Sequence, residues 1–90
     1  MRVALIAKDK PNSLNVRIDT RDAHVAYLKG SDAVEMAGPF LDENGDMCGS
    51  LIILNVETMA EAQAFADGDP YGHAGLFESV ELTAWNKVLG

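Results

Sequence analysis

Two nearly continuous apolar runs, each followed by a helical segment, and one strong hairpin signal between them predict an α+β fold: a ferredoxin-like βαββαβ unit with an antiparallel sheet. Residues 2–7 carry Val3, Ala4, Leu5 and Ile6 in succession, the pattern of a strand covered on both faces. Pro11 and Asn12 then break the chain. Over 13–29 the apolar residues Leu14, Ile18, Val25 and Leu28 recur at helical spacing, about 100° per residue, and Gly30 is placed to end that helix in a left-handed conformation. Residues 33–37 read as a short strand and Gly38-Pro39 as a bend. Asn44-Gly45, within the turn-rich segment 42–46, returns the chain antiparallel. Residues 50–56, with Leu51, Ile52, Ile53 and Leu54, form the second doubly covered run. Thr58 and Glu61 have the spacing of a capping box, worth roughly 1 kcal/mol. The helix it starts is about ten residues long, with Met59, Ala62, Phe65 and Ala66 on its apolar face, and Asp67-Gly68 and Asp69-Pro70 stop it. Val80, Leu82 and Ala84 alternate with Glu81, Thr83 and Trp85, which suits an edge strand.

The doubly covered runs are the first and third strands, the central pair of such a sheet. Both helices then lie on one face, so the apolar residues of the other face need a cover, and a second copy packing sheet to sheet as a homodimer supplies one. Ninety residues suit a single domain over 1–90 with one core. The formal charge of −7, with no run of basic residues, speaks against nucleic acid as a partner. The lone Cys48 has no partner for an internal disulfide, and no basic segment followed by an apolar run opens the chain. Neither secretion nor a membrane span is expected, which makes a cytoplasmic protein the expectation.

Chemistry concentrates around His24. On the first helix Arg17, Arg21 and His24 stand at intervals of four and three and project along one flank, where they can jointly meet an anionic group. Arg21 falls almost inside the apolar stripe, so something anionic must face it. Asp69, just after the second helix, is the carboxylate best placed to reach back to this layer, ahead of Asp67, Asp42 and Asp46. Were the two to meet, Asp69 would set the tautomer of His24 while His24 moved a proton, with Tyr71 as a ring wall or a hydroxyl. The plain alternatives are a structural histidine and an ordinary Asp-Pro turn. His73 and His24 lack further ligands at metal spacing, so no metal site is expected. Cys48 reads as a small hydrophobe rather than a nucleophile.

These same residues carry a resemblance. Pro11-Asn12-Ser13-Leu14 with Arg17, Arg21-Asp22-Ala23-His24 and Tyr27-Leu28, then Ala37-Gly38-Pro39-Phe40-Leu41-Asp42 and Gly49-Ser50-Leu51-Ile52-Ile53 all resemble the YCII-related (YciI-like) family. So do Asp69-Pro70-Tyr71, Ala74-Gly75-Leu76-Phe77, Val80-Glu81 and Trp85, which extends the likeness over essentially the whole chain. The segment between Pro39 and Gly49 is more compact than in some relatives. The resemblance implies a dimeric α+β barrel of ferredoxin-like units and a cleft using a histidine and an aspartate, which map onto His24 and Asp69. At least one family relative resembles a dehydrochlorinase acting on a chlorinated hydroxyhydroquinone, while most members have no assigned reaction.

Two functions stand as expectations. The first is a small enzyme performing acid–base chemistry, elimination or isomerisation, on a small anionic metabolite, aromatic ones included. It would use His24 and Asp69 with Arg17 and Arg21 as anion binders, and no cofactor. The second is a non-catalytic dimeric ligand-binding or accessory module using the same cleft.

Overall fold

Four strands and three helices make up the chain in the computed structural model, which describes residues 1–90. They are β1 (Arg2–Asp9), α1 (Leu14–Lys29), β2 (Val34–Leu41), β3 (Met47–Asn55), α2 (Met59–Asp67), α3 (Pro70–His73) and β4 (Phe77–Trp85). The sheet order is β2-β3-β1-β4 and every pair is antiparallel, so the two apolar runs occupy the centre, with Ala4 opposite Ile53 and Leu5 opposite Ile52. This is the α+β, ferredoxin-like arrangement that the order of elements predicts. No helix is long and apolar enough to cross a membrane.

Strand alternation sorts the side chains onto two faces. The covered face supplies Val3, Leu5 and Ala7 from β1 and Ile52 and Leu54 from β3, which pack with Val56, Ala62 and Phe65 into one core. Each large apolar side chain withdrawn there contributes about 1.5–3 kcal/mol of transfer free energy. The Tyr27 ring leans on Phe65 at 5.0 Å between centroids, and its hydroxyl donates to the Phe65 carbonyl at 2.9 Å. Gly68 at the end of α2 leaves room for that hydroxyl, which a Cβ there would push aside. The other face carries Ala4, Ile6, Leu51 and Ile53 in its middle with Met36, Phe40 and Trp85 around them, and no helix of the chain lies over it.

Several local expectations need correction. β2 does not bend at Gly38-Pro39 but runs on to Leu41, with Pro39 opposite Ser50. β2 is an edge strand, where a residue lacking an N–H forfeits no ladder bond. Gly30 ends α1 with right-handed angles (φ −81°), its N–H donating to the Ala26 carbonyl, so no left-handed residue is used. The capping box forms in shifted register: the Glu61 N–H donates to Thr58 Oγ1 at 3.2 Å, while the Glu61 carboxylate accepts from the N–H of Glu57, one residue before the cap. The 42–46 turn is held by Asp42, whose Oδ1 accepts from the N–H groups of Asn44 and Asp46, with Gly45 at φ +80°. The one-turn helix α3 stands where the sequence reads only as a loop.

α1 is also rotated from the expected stripe. Ile18 is 56% exposed, and Arg17 beside it is buried at 2%. The inward arginine is therefore Arg17 rather than Arg21, and the reason is a counter-charge on β1.

Candidate active site

Arg17, Arg21 and His24 span two turns of one face of α1, but they meet three different environments. The Arg17 guanidinium is clamped by Asp9 at the end of β1: Nε–H donates to Oδ2 at 2.7 Å and Nη2–H to Oδ1 at 2.8 Å, while Nη2 also donates to Ser50 Oγ on β3 at 2.9 Å. This planar two-point contact is what arginine geometry favours with a carboxylate. Burial works against the charge, but the bonds and field of Asp9 outweigh it and hold the guanidinium above its usual value. Arg21, a turn further on, is exposed, forms no salt bridge and lines the mouth of a cleft. The sequence places Arg17 on the flank of the helix and Arg21 almost inside its apolar stripe; the structure buries Arg17 and leaves Arg21 exposed and unpaired.

His24 is buried, and its Nδ1 lies 2.8 Å from Oδ1 of Asp69. Asp69 caps α3: the same Oδ1 accepts the Tyr71 N–H at 2.9 Å, and Pro70 occupies the first helical position, where its missing N–H is harmless. The turn reading and the partner reading of Asp69 thus coincide in one oxygen. A carboxylate only accepts, so the proton of a neutral His24 resides on Nδ1 and Nε2 is left as the basic nitrogen. The imidazole stacks on Tyr71 with centroids 3.9 Å apart and planes at 17°. Arg17 Cζ lies 4.5 Å from the centroid of the same ring. Two helical turns, about 10.5 Å, separate Arg17 from His24, and the Tyr71 ring fills that interval. Burial raises the Tyr71 phenol above the usual tyrosine range, against the lowering influence of Arg17 and Arg21.

These groups border a cleft of about 130 Å³ between α1 and the β2–β3 edge of the sheet. Arg17, Arg21, His24, Ser50 and Tyr71 are its polar lining; Val25, Leu28, Ala37, Pro39, Met47 and Ile52 are its apolar walls. All five predicted site residues, His24, Asp69, Arg17, Arg21 and Tyr71, belong to this constellation. Asp67, Asp42, Asp46, Cys48 and His73 do not. Cys48 is exposed outside the cleft, and His73 Nε2 sits 2.7 Å from the Asp67 carbonyl. No group of three His, Cys, Asp or Glu side chains is arranged to hold a metal ion.

Asp9 and Ser50 belong to the site but do not stand out in the sequence. Asp9 looks like turn material in Lys8-Asp9-Lys10, and Ser50 is a single hydroxyl opening a hydrocarbon run. The available signal for each is its place: Asp9 at the end of a covered strand, Ser50 as a polar residue within one.

The YCII-related domain matches residues 1–86. Protein YciI of Escherichia coli O6:H1 is 36% identical over 98 aligned residues, which cover 99% of this chain and all of that protein. An uncharacterized protein of Haemophilus influenzae is 34% identical with the same 99% coverage. Among solved structures, 5-chloro-2-hydroxyhydroquinone dehydrochlorinase (TftG) from Burkholderia phenoliruptrix AC1100, in complex with 2,5-dihydroxybenzoquinone, superposes with a TM-score of 0.87. It is 36% identical, and the match covers 96% of this chain and 94% of that one. An antibiotic biosynthesis monooxygenase, 12% identical with a TM-score of 0.57 over 96% and 98% of the two chains, shares the fold. Both superpositions place the chain in the ferredoxin-like α+β barrel fold.

Proposed function

The chain belongs to the YCII-related domain family, and from that premise we propose that it is a small acid–base enzyme acting on a single-ring, oxygen-rich anionic metabolite. One observation carries the reading: the buried Asp69 carboxylate fixes His24 through Nδ1 beside an apolar cleft whose mouth holds the unpaired Arg21. His24 Nε2 is the proton acceptor, Asp69 its orienting partner and Tyr71 the plate that keeps the ring in plane. Arg21 meets the negative charge that develops on a substrate oxygen as the proton leaves, in a site where low dielectric strengthens the contact. Arg17 is engaged by Asp9 and supports the site from behind.

The dimensions suit the substrate class. An apolar cavity of about 150 Å³ holds benzene; this cleft of about 130 Å³ is smaller but open on one side, so a single ring fits only with its substituted edge at the mouth, where Arg21 stands. A dehydrochlorinase for a hydroxylated, chlorinated ring among the similar structures supports elimination as the reaction type. There a proton passes to His24 while the leaving group departs with its bonding electrons. Isomerisation uses the same proton transfer and returns the proton to another atom. We further propose a homodimer in which a second copy covers the bare sheet face, and a cytoplasmic setting in keeping with one free thiol.

The test is chloride release from 5-chloro-2-hydroxyhydroquinone, measured beside a panel of small phenolic and lactone acids. A positioned base contributes roughly 10²–10⁴-fold, so His24→Gln should lower kcat at least about 100-fold with little change in KM. Arg21→Gln should instead act mainly on KM. Equal turnover by wild type and His24→Gln would remove His24 from the chemistry, and ligand binding without turnover of any panel member would leave a binding module.

A further inference from the structure

We infer that Tyr27 is a positioning residue of the His24–Asp69 pair: its hydroxyl ties the turn between α2 and α3 to α1 and thereby sets Asp69 at hydrogen-bonding distance from the imidazole. The catalytic meaning of this tie rests on the acid–base reading proposed above. Asp69 is 1% exposed, and both of its side-chain bonds fall on Oδ1, which accepts from His24 Nδ1 at 2.8 Å and from the Tyr71 N–H at 2.9 Å. Oδ2 is buried and meets no donor of the chain. A carboxylate gripped at one oxygen can swing about it, so the orientation of Asp69 has to come from the backbone that carries it.

That backbone is a short turn, and Tyr27 holds it. Gly68, the residue before Asp69, closes α2 by donating its N–H to the Phe65 carbonyl at 3.2 Å, and the Tyr27 hydroxyl donates to the same carbonyl at 2.9 Å. The two lone pairs of one oxygen thus join the end of α2 to α1. The Tyr27 hydroxyl also fills the space beside Gly68 that a Cβ would take, so the turn is packed as well as bonded. His24 and Tyr27 stand three residues apart on α1 and are neighbours on its surface, so one helix presents both the imidazole and the strap that aims its partner. Burial, together with the fields of Asp69 and Asp67, holds the Tyr27 phenol above its ordinary range. The hydroxyl therefore keeps its proton and remains a donor at neutral pH. His73 ties the same turn from the other side, its Nε2–H donating to the Asp67 carbonyl at 2.7 Å. It rides on α3 with Asp69, however, and so cannot set Asp69 against α1.

Tyr27→Phe removes the hydroxyl and keeps the ring that packs on Phe65 at 5.0 Å between centroids. Gly68→Ala tests the tie from the other side, since its Cβ displaces the hydroxyl while His24 and Asp69 are left unaltered. The readout is the Nδ1 proton of His24, assigned by its loss in His24→Gln and followed by proton NMR at a temperature where far-UV circular dichroism shows each variant folded. In wild type the short bond to Asp69 shifts that proton downfield and slows its exchange with water. Each single variant should move it upfield and speed its exchange about three- to tenfold, the range that one lost hydrogen bond allows. Turnover of 5-chloro-2-hydroxyhydroquinone should show kcat lowered by a similar factor with KM unchanged, because the base is misaimed rather than the cleft altered. Tyr27→Phe vacates the space that the new Cβ needs, so the double variant should be no worse than Tyr27→Phe alone. Lost stability by itself leaves the signal of the folded molecules unmoved. An unshifted proton with wild-type exchange in Tyr27→Phe would therefore overturn the inference while leaving His24 as a base untouched, and additive effects in the double variant would overturn the tie at Gly68. The proton signal decides the inference whether or not the substrate is turned over. A shifted proton in Tyr27→Phe beside undiminished turnover in His24→Gln would uphold Tyr27 as the residue that positions Asp69 and defeat the acid–base reading instead.

Discussion

On the helix-covered face of the sheet, Asp9, Arg17, Ser50, His24 and Asp69 are withdrawn from water, whereas on the bare face Met36, Phe40 and Trp85 stand between 38% and 50% exposed. Beside its expected residues, each face also holds some that solvent would assign to the other. A charge is buried only where it is paired, and a cluster of exposed apolar side chains on a small protein marks a surface that meets something. The covered face thus spends stability on geometry around the cleft, and the bare face leaves hydrocarbon in water where the proposed second copy would cover it. The difference teaches where substitutions should hurt folding and where they should hurt assembly.

The largest effect is expected at Asp9. Asp9→Ala leaves the Arg17 guanidinium buried against Tyr71 with Ser50 as its remaining hydrogen-bond partner, and breaking such a pair costs about 3–5 kcal/mol. That is a large part of the roughly 5–15 kcal/mol typical of a domain, so urea unfolding should show a much lower midpoint. Asp9→Leu combined with Arg17→Met removes both charges and should recover most of the loss. A destabilisation below about 1 kcal/mol in Asp9→Ala would mean that the pair is not held out of water and would erase the contrast between the faces.

Next in size is assembly. Phe40 lies on the bare face beside Gly49, and Phe40→Glu places a charge among the apolar side chains that ring the centre of the proposed contact. Sedimentation should give a dimer for wild type and a monomer for Phe40→Glu at micromolar concentration, with far-UV circular dichroism unchanged. A wild-type monomer under those conditions would leave the bare face without its proposed cover.

Much of this architecture is legible in the sequence because it rests on local pattern. β1 and β3 announce themselves as central strands, since runs such as Val3-Ala4-Leu5-Ile6 suit no one-sided position. His24 and Asp69 are legible as candidates because histidine is scarce in this chain and an Asp-Pro step can cap a helical turn, although 45 residues separate them. The rotation of α1 is not legible. A helical wheel scores Ile18 as inward and Arg17 as a flank, and only the arrival of Asp9 and Ser50 from two strands makes Arg17 the better buried residue. β2 reads as ending before Gly38-Pro39 because proline is a breaker until the strand is known to be an edge. The short α3 carries a signal, Asp69 as cap and Pro70 at the first position, that is equally the signal of a turn.

The smallest expected effect separates the faces by pH. Both tyrosines, Tyr27 and Tyr71, lie on the covered side, and burial raises each phenol above the ordinary range, with Asp69 acting in the same direction on both. A phenol raised in the folded state stabilises the fold fully below the unfolded value, about pH 10, and that contribution is lost as pH climbs through the folded value. Wild-type stability should therefore fall more steeply above about pH 10 than that of Tyr27→Phe/Tyr71→Phe. The phenylalanine variant also lacks the Tyr27 hydroxyl bond to the Phe65 carbonyl, but that loss shifts its stability at every pH and leaves the slope alone. Lysines titrate in the same window in both proteins and cancel in the difference. Urea midpoints measured from about pH 8 to about pH 11 give that difference directly. Parallel curves would show that the covered face does not withdraw its phenols from water. The Tyr71 plate against His24 would then be too open to fix the imidazole.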